Sequence, residues 1–305
     1  MILSMLDNVK AGFFSSLFFS VNHYIHCKKH NISFKLDSNN WLYKSKNGWT
    51  DYFSHEIELK GNNEEDKFFI FKHDDLLGEP TMYEYRDVLL NDIYIYNEEV
   101  KKRLEEKKRE LGLINPGTYD SIYIRRGDKL CYESKYYSTE KYIDLLLQKN
   151  PNCQTIFIQS DDYNCFLDLK KYIEDKNFDI KLLTLCHPDE VGVVNYEIDV
   201  EEKFDLQCDI IHGDVEHKKY FDKIKDKLQK TKPINKMNPD EIYEHTVNMI
   251  IGLDIVRHSR YCILDNQSNV SRFINITHDQ LQNVFDIRFP NEHFNMNRTK
   301  VPAWP

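Results

Sequence analysis

Short apolar runs and amphipathic stretches alternate along the second part of this chain. Ser121 to Ile124 is apolar and β-prone, which predicts a buried strand. Helical spacing follows over Thr139–Gln148, with Ser138 placed as its cap. The rhythm then repeats: strand Thr155–Gln159, helix Cys165–Ile173, strand Ile180–Leu185. Residues 187–238 are less regular, with a charged helix-like run from His217 to Lys230 and turns near Pro233 and Pro239. Asp240 reads as the cap of a long helix from Glu241 to about Arg257. Strand Tyr261–Leu264 comes next, and a further helix starts near Ser268. Strand and helix in alternation predict a parallel sheet with helices packed on it.

The first part of the chain is more mixed. Met1 to Asp7 supplies a short strand, and Gly12 opens an apolar helix through Ile25. Ile32 to Leu36 alternates as a half-buried strand does, and Phe68 to Phe71 is another strand. Asn91 to Gly112 reads as one long helix whose charges mark a solvated face. Asn115-Pro116-Gly117 breaks it, so we place an amino-terminal α/β lobe at 1–116 and a Rossmann-like lobe at 117–305. Trp41, Tyr43 and Trp49 lie in one loop. Such rings either stack on sugars or form a satellite core, and both readings stay open here. The tail Val301–Pro305 is expected to pack back on the body.

Candidate chemistry gathers where strands end. The strand ending at Ile124 runs into Arg125-Arg126-Gly127-Asp128-Lys129, with Glu133 following. Ligands of open α/β sheets sit beyond the carboxyl ends of the strands. A guanidinium there suits a phosphate, because it donates two parallel hydrogen bonds. The plainer reading is a strand ending in a solvated charged loop. The polar loop from Asp265 to Arg272 leads into a helix start, a natural anion site. The net charge of −9 excludes general binding along nucleic-acid backbones. Seven scattered cysteines without a CxxC pair indicate neither a zinc site nor a disulfide framework, and fit a reducing compartment. Ala11 to Ile25 is too short and too polar for a membrane span, and it lacks a clear basic start or cleavage site. Five glycosylation sequons begin at Asn31, Asn266, Asn269, Asn275 and Asn297. Two fall in the loop assigned to phosphate, where a glycan would obstruct it. The expected location is therefore cytoplasmic.

Three blocks in order resemble the GDP-fucose-dependent α1,6-fucosyltransferases, the group that includes the core N-glycan enzyme and the bacterial Nod-factor enzyme. The first is Gly12-Phe13, Leu17, Ser38, Trp41, Tyr43, Gly48, Trp49 and Phe53. The second is Tyr123-Ile-Arg125-Arg126-Gly-Asp128-Lys129 with Glu133, Glu140 and Tyr142. The third is Leu253-Asp254-Ile255 followed by Gln267-Ser268-Asn269-Val270-Ser271-Arg272. Asp161-Asp162 also resembles a paired aspartate of that family. The resemblance implies a two-lobed α/β fold of GT-B type, with the donor bound by the carboxy-terminal lobe. It implies an inverting transfer of L-fucose from GDP-β-L-fucose to a hydroxyl of a glycan acceptor, giving an α-fucoside.

The same resemblance assigns roles. Glu133 is the general base and Lys129 a proton relay or phosphate partner. Arg125 binds the diphosphate and stabilises departing GDP, with Arg126 beside it. Ser268 and Asn269 add hydrogen bonds to that phosphate, and Asp254 accepts from guanine. Asp128 orients the arginine loop, and Tyr123, Asp161 and Asp162 line the nucleotide cleft. No cofactor or metal is implied beyond the donor itself, although the Asp161-Asp162 pair leaves a metal-dependent variant open. The partners expected are GDP-fucose and a glycan, with no nucleic acid. Departures from the family pattern are Tyr123 for a histidine, Gly127 for a threonine and Asn269 for a glutamine. The Asp254–Ser268 spacing is shorter by about two residues and the 187–238 region is longer. No counterpart of the animal enzyme's helical stem or SH3-like domain is found, so core N-glycans are not carried over as acceptor. The alternatives are a non-catalytic GDP-sugar or glycan-binding protein of the same fold, or a transferase using another GDP-sugar.

Overall fold

The computed structural model describes residues 1–6, 11–62, 69–71, 78, 80–132, 134–197 and 215–292. The expected tail contact at 301–305 lies outside them. The chain groups into two compact units, one of residues 1–106, 237–251 and 295–305, the other of residues 107–236 and 252–294.

In the first unit, β1 (Ile2–Met5) leads to α1 (Phe13–His30), β2 (Phe34–Asp37), β3 (Glu58–Leu59) and β4 (Phe69–Phe71). They form a four-stranded sheet in the order β3-β2-β1-β4. β1 is parallel to β2 and β4, and β3 is antiparallel to β2. Helix α1 runs past Ile25 because Lys28, Lys29 and His30 suit a helix carboxyl end, and Asn31 closes it in the left-handed region at φ 54°. The helix expected over 91–112 begins only at α3 (Glu98–Leu111), and a separate helix, α2 (Met82–Val88), precedes it. A π-helical turn over Leu89–Ile93 follows α2. Asn97 Oδ1 accepts the Val100 N–H at 2.9 Å, starting α3 afresh. Thr81 and Glu84 form a capping box that starts α2.

The loop holding Trp41 and Trp49 is a satellite core. Trp49 is fully buried and stacks on Phe53 at 3.9 Å. Trp41 packs on Phe13 of α1 at 4.9 Å. Asp51 holds the loop closed by accepting the backbone N–H groups of Ser45, Lys46, Asn47 and Gly48. Neither indole offers a face to a sugar.

The second unit holds β5 (Asp120–Ile124), α4 (Lys129–Tyr132), α5 (Thr139–Lys149), β6 (Thr155–Ser160), α6 (Tyr163–Lys176), β7 (Lys181–Thr184) and α7 (Val215–Lys230). Helix α8 (Pro239–Arg257) gives its last residues to this unit, followed by β8 (Cys262–Leu264), α9 (Asn269–Thr277) and β9 (Val284–Asp286). Helix α8 is capped by Asn238, not Asp240: Asn238 Oδ1 accepts the Glu241 N–H at 3.0 Å and Glu241 returns the bond at 2.7 Å. Pro239 occupies the first helical position, where its missing N–H costs nothing. Ser138 precedes α5 as expected, but its side chain makes no capping bond.

The sheet order is β7-β6-β5-β8-β9, and every pair is parallel. Buried Ile122, Ile124, Ile156, Ile158 and Ile263 face α5 and α6 through Tyr142, Ile143, Leu146, Cys165 and Leu169. Among the described residues no helix is long and apolar enough to cross a membrane.

Candidate active site

Chain order in the second sheet reverses beside β5. From β5 the chain steps to β6 and β7 on one side, then returns to place β8 and β9 on the other. The loops after β5 and β8 therefore diverge, which opens a crevice at their carboxyl ends. The Arg125 loop follows β5 and the Ser268 loop follows β8.

Side-chain alternation sends Tyr123 and Arg125 to one face and Ile124 and Arg126 to the other. Arg125 is bracketed by carboxylates. It donates to Asp128 Oδ1 at 2.7 Å and pairs with Asp161. Asp161 also accepts the Arg126 N–H at 2.7 Å, so one carboxylate at the end of β6 holds both guanidinium and backbone of the turn. By formal charge this trio is net negative. Anion capture here rests on directed N–H donors, of which a guanidinium carries five.

Gly127 sits at φ +59°. A Cβ there would lie 2.6 Å from Gly192 Cα, and a Cβ on Gly192, at φ +137°, would lie 2.4 Å from Gly127 Cα. Two backbones thus cross in contact, which only glycine permits at either position.

Arg126 is turned inward and 1% exposed. It donates to the Tyr137 carbonyl and lies over the rings of Tyr136 at 4.6 Å and Tyr220 at 5.5 Å. Asp162 is also interior: it caps α6 through the Asn164 N–H at 2.9 Å and accepts the Tyr220 hydroxyl at 2.6 Å. These two build the wall of the site and present no group to the crevice.

On the β8 side, Ser268 caps α9 by accepting the Ser271 N–H at 3.1 Å. Ser268 stands near the Tyr123 hydroxyl, so the two loops approach each other here. Burial pushes that phenol up to about 12, against the pull of nearby Arg125. Asn269 accepts from Arg272 at 2.8 Å. Asp265, which sequence reasoning did not single out, is buried at the end of β8, with Arg288 at 3.3 Å. Burial raises its carboxyl to about 6, with Gln267 and Arg288 opposing. Its position directly after a wholly buried strand was the available signal.

Lys129 opens α4, half-buried, next to Asp128. Glu133 lies outside the described residues. Asp254 is placed elsewhere. It lies on the last turn of α8, 3% exposed, with Lys108 at 2.6 Å, His258 at 3.4 Å and Arg257 at 3.8 Å. The His258 carbonyl accepts from Gly117 and the Arg260 N–H donates to Tyr119, both just before β5 begins. Asp254 is thus at the amino-terminal end of the sheet, opposite Arg125. Burial opposes its charge, but His258, Arg257 and Lys108 outweigh that and hold its carboxyl below the usual range.

The structure therefore places Tyr123, Arg125, Asp128, Asp161, Ser268 and Asn269 at the carboxyl ends of β5, β6 and β8. It buries Arg126 and Asp162 in the interior beside them and sets Asp254 at the far end of the sheet. Among the described residues no group of three or more His, Cys, Asp or Glu could hold a metal ion.

No family model matches the chain, and no curated protein sequence is similar to it. Among solved structures, the crystal structure of the fucosyltransferase NodZ from Bradyrhizobium is similar, with a TM-score of 0.52 and 8% identity over 96% of this chain and 97% of that one. A selenomethionine crystal structure of the same fucosyltransferase gives a TM-score of 0.49 at 8% identity, over 90% of this chain and 91% of that one. The first likeness shows the fold. It is α/β and GT-B-like, with two α/β units, the second of them Rossmann-like.

Proposed function

We propose that this protein is an inverting glycosyltransferase that moves L-fucose from GDP-β-L-fucose to a hydroxyl of a glycan acceptor. The observation that carries the reading is the pairing of a carboxylate-oriented arginine after β5 with a capped helix start after β8, both at the switch point of a parallel sheet. That arrangement suits a diphosphate, and the fold is shared with a fucosyltransferase.

In this reading Arg125 and the amino end of α9, with Ser268 and Asn269, stabilise the charge that grows on departing GDP. Asp128 and Asp161 hold the Arg125 plane. Arg126 and Asp162 support the turn from within. Glu133 takes the proton of the attacking hydroxyl as general base, with Lys129 as relay or phosphate partner. One displacement inverts the anomeric centre. Asp254 serves the scaffold. The described free cysteines Cys27, Cys153, Cys165, Cys186 and Cys262 are all buried, which suits a reducing, cytoplasmic setting.

The test is GDP release from GDP-fucose, with chelator present, across a panel of glycan acceptors, for the wild type and Arg125→Ala. Acceptor-dependent release that Arg125→Ala loses supports the transferase. GDP binding without release from any acceptor or into water favours a binding protein of the same fold. Absence of GDP binding removes the reading.

A further inference from the structure

Asp265 is the first residue after β8 and stands three residues before Ser268. It takes no part in the chemistry proposed above, yet its carboxylate links one loop to two others. Arg288, just beyond β9, places Nε 3.3 Å from Asp265 Oδ1. Arg288 is itself fixed, because it donates to Asp286, the last residue of β9, through Nη2 at 2.6 Å and Nε at 3.1 Å. The ends of β8 and β9 are level: Leu264 stands beside Asp286 in register, and the Ile287 N–H donates to the Leu264 carbonyl at 2.9 Å.

From Asp265 the bonds continue toward the phosphate loop. Asp265 Oδ2 accepts from Gln267 Nε2 at 2.5 Å. The other end of that carboxamide, Gln267 Oε1, accepts the Lys135 N–H at 3.3 Å, in the loop between α4 and α5. The Asp265 carbonyl accepts the Ser271 hydroxyl at 2.5 Å, and Ser271 Oγ lies 2.8 Å from Ser268 Oγ. Residues on both sides of Ser268 are thus tied down. Burying a carboxylate costs stability unless it is paired and hydrogen-bonded. Asp265 is buried, and its bonds to Arg288 and Gln267 offset that cost. An apolar side chain would fill the space more cheaply, but it could not hold the Gln267 carboxamide.

We propose that Asp265 is a positioning residue, which through Gln267 sets the turn at Ser268 in the geometry a diphosphate needs. The proposal rests on the function proposed above and deepens it. Donors that are already in place bind an anion without the cost of ordering them.

Calorimetric titration of GDP onto the wild type, Asp265→Leu, Asp265→Asn, Gln267→Met and the double variant of Asp265→Leu with Gln267→Met tests it. Leucine removes both acceptor atoms, whereas asparagine keeps one for Gln267. Asp265→Leu and Gln267→Met are each expected to weaken GDP binding about tenfold. The double variant is expected to bind no more weakly than either, because both changes break the same line of bonds. Asp265→Asn is expected to bind within about threefold of the wild type. Hydrogen exchange at the Lys135 amide is expected to quicken in Asp265→Leu and Gln267→Met and not in Asp265→Asn. Gln267 is only half-buried, so Gln267→Met carries the test if Asp265→Leu does not fold. Wild-type affinity in Gln267→Met, losses that add in the double variant, equal losses in Asp265→Asn and Asp265→Leu, or unchanged exchange would each overturn the proposal. A wild type that does not bind GDP removes the proposed function and the positioning role with it. GDP binding shared by the wild type and Gln267→Met removes the positioning role alone.

Discussion

The two ends of the second sheet carry ion clusters of opposite design. At the carboxyl end one guanidinium, Arg125, lies between two carboxylates, Asp128 and Asp161. At the amino end one carboxylate, Asp254, lies among Lys108, Arg257 and His258. Both centres are largely buried. The difference lies in what carries them. Arg125 and its partners sit on turns at a switch point, where a ligand can add further acceptors. Asp254 and its partners sit on helix ends that lead into strands, where the cluster fixes the chain. Burial and ion pairing alone therefore do not mark a site; the end of the sheet does.

That contrast can be broken most directly at Arg125. Arg125→Ala is expected to lower GDP-fucose turnover by about a hundredfold or more, the usual scale for removing one donor to developing charge. Steady-state kinetics on protein verified as folded by circular dichroism checks this. The mirror change, Asp254→Ala, leaves three cations facing one another. It is expected to cost roughly 3 kcal/mol of stability while leaving kcat of the folded fraction near wild type, as read by denaturant titration beside the same assay.

A smaller effect sharpens the role of the crossing backbones. The methyl group of Gly192→Ala would meet the backbone Cα of Gly127 at 2.4 Å. It is expected to cost roughly 2 kcal/mol and to weaken GDP binding by moving the arginine turn. Gly112→Ala is the control, because it also has positive φ, at +74°, but nothing within 4 Å of the new Cβ. It should cost about 1 kcal/mol and leave GDP binding unchanged.

The smallest effect is a pH dependence of the amino-end cluster. Hydrogen bonds to Asp254 and then to Asp279 raise His258 to about 9, despite burial. The folded value lies above the ordinary 6.5, so its stabilisation is complete below pH 6.5 and fades as pH rises through about 9. Between pH 6 and pH 9.5 the wild type should lose about 1–2 kcal/mol more than His258→Gln, measured by urea unfolding at both pH values.

Much of the second unit was legible in the sequence because buried parallel strands are short apolar runs separated by amphipathic helices. Strands β5, β6 and β8 start or end within a residue or so of their expected bounds. Helix α2 was missed, although Thr81 and Glu84 carry a readable capping signal, because its short apolar face merges into the Leu89–Ile93 turn. β9 was missed because Val284-Phe285-Asp286 is not a continuous apolar run, unlike the equally short β8. Strand alternation carried one step past Ile124 points Arg126 toward the α5–α6 side, which is where it lies; two adjacent arginines otherwise look alike. Asp254 was set beside the nucleotide because its neighbours in sequence fit a motif. Asp254 lies on the last turn of the helix that leads into β8, and that turn meets the amino end of the sheet.

The central claim is that a nucleoside diphosphate binds at the carboxyl end of the sheet and not at the amino end. Calorimetric titration of GDP onto the wild type, Arg125→Lys and Asp254→Asn tests it most directly. Lysine keeps the charge of Arg125 and loses its fork, so Arg125→Lys should bind about tenfold more weakly or worse, and Asp254→Asn should bind as the wild type does. Binding lost in Asp254→Asn and kept in Arg125→Lys would contradict the account.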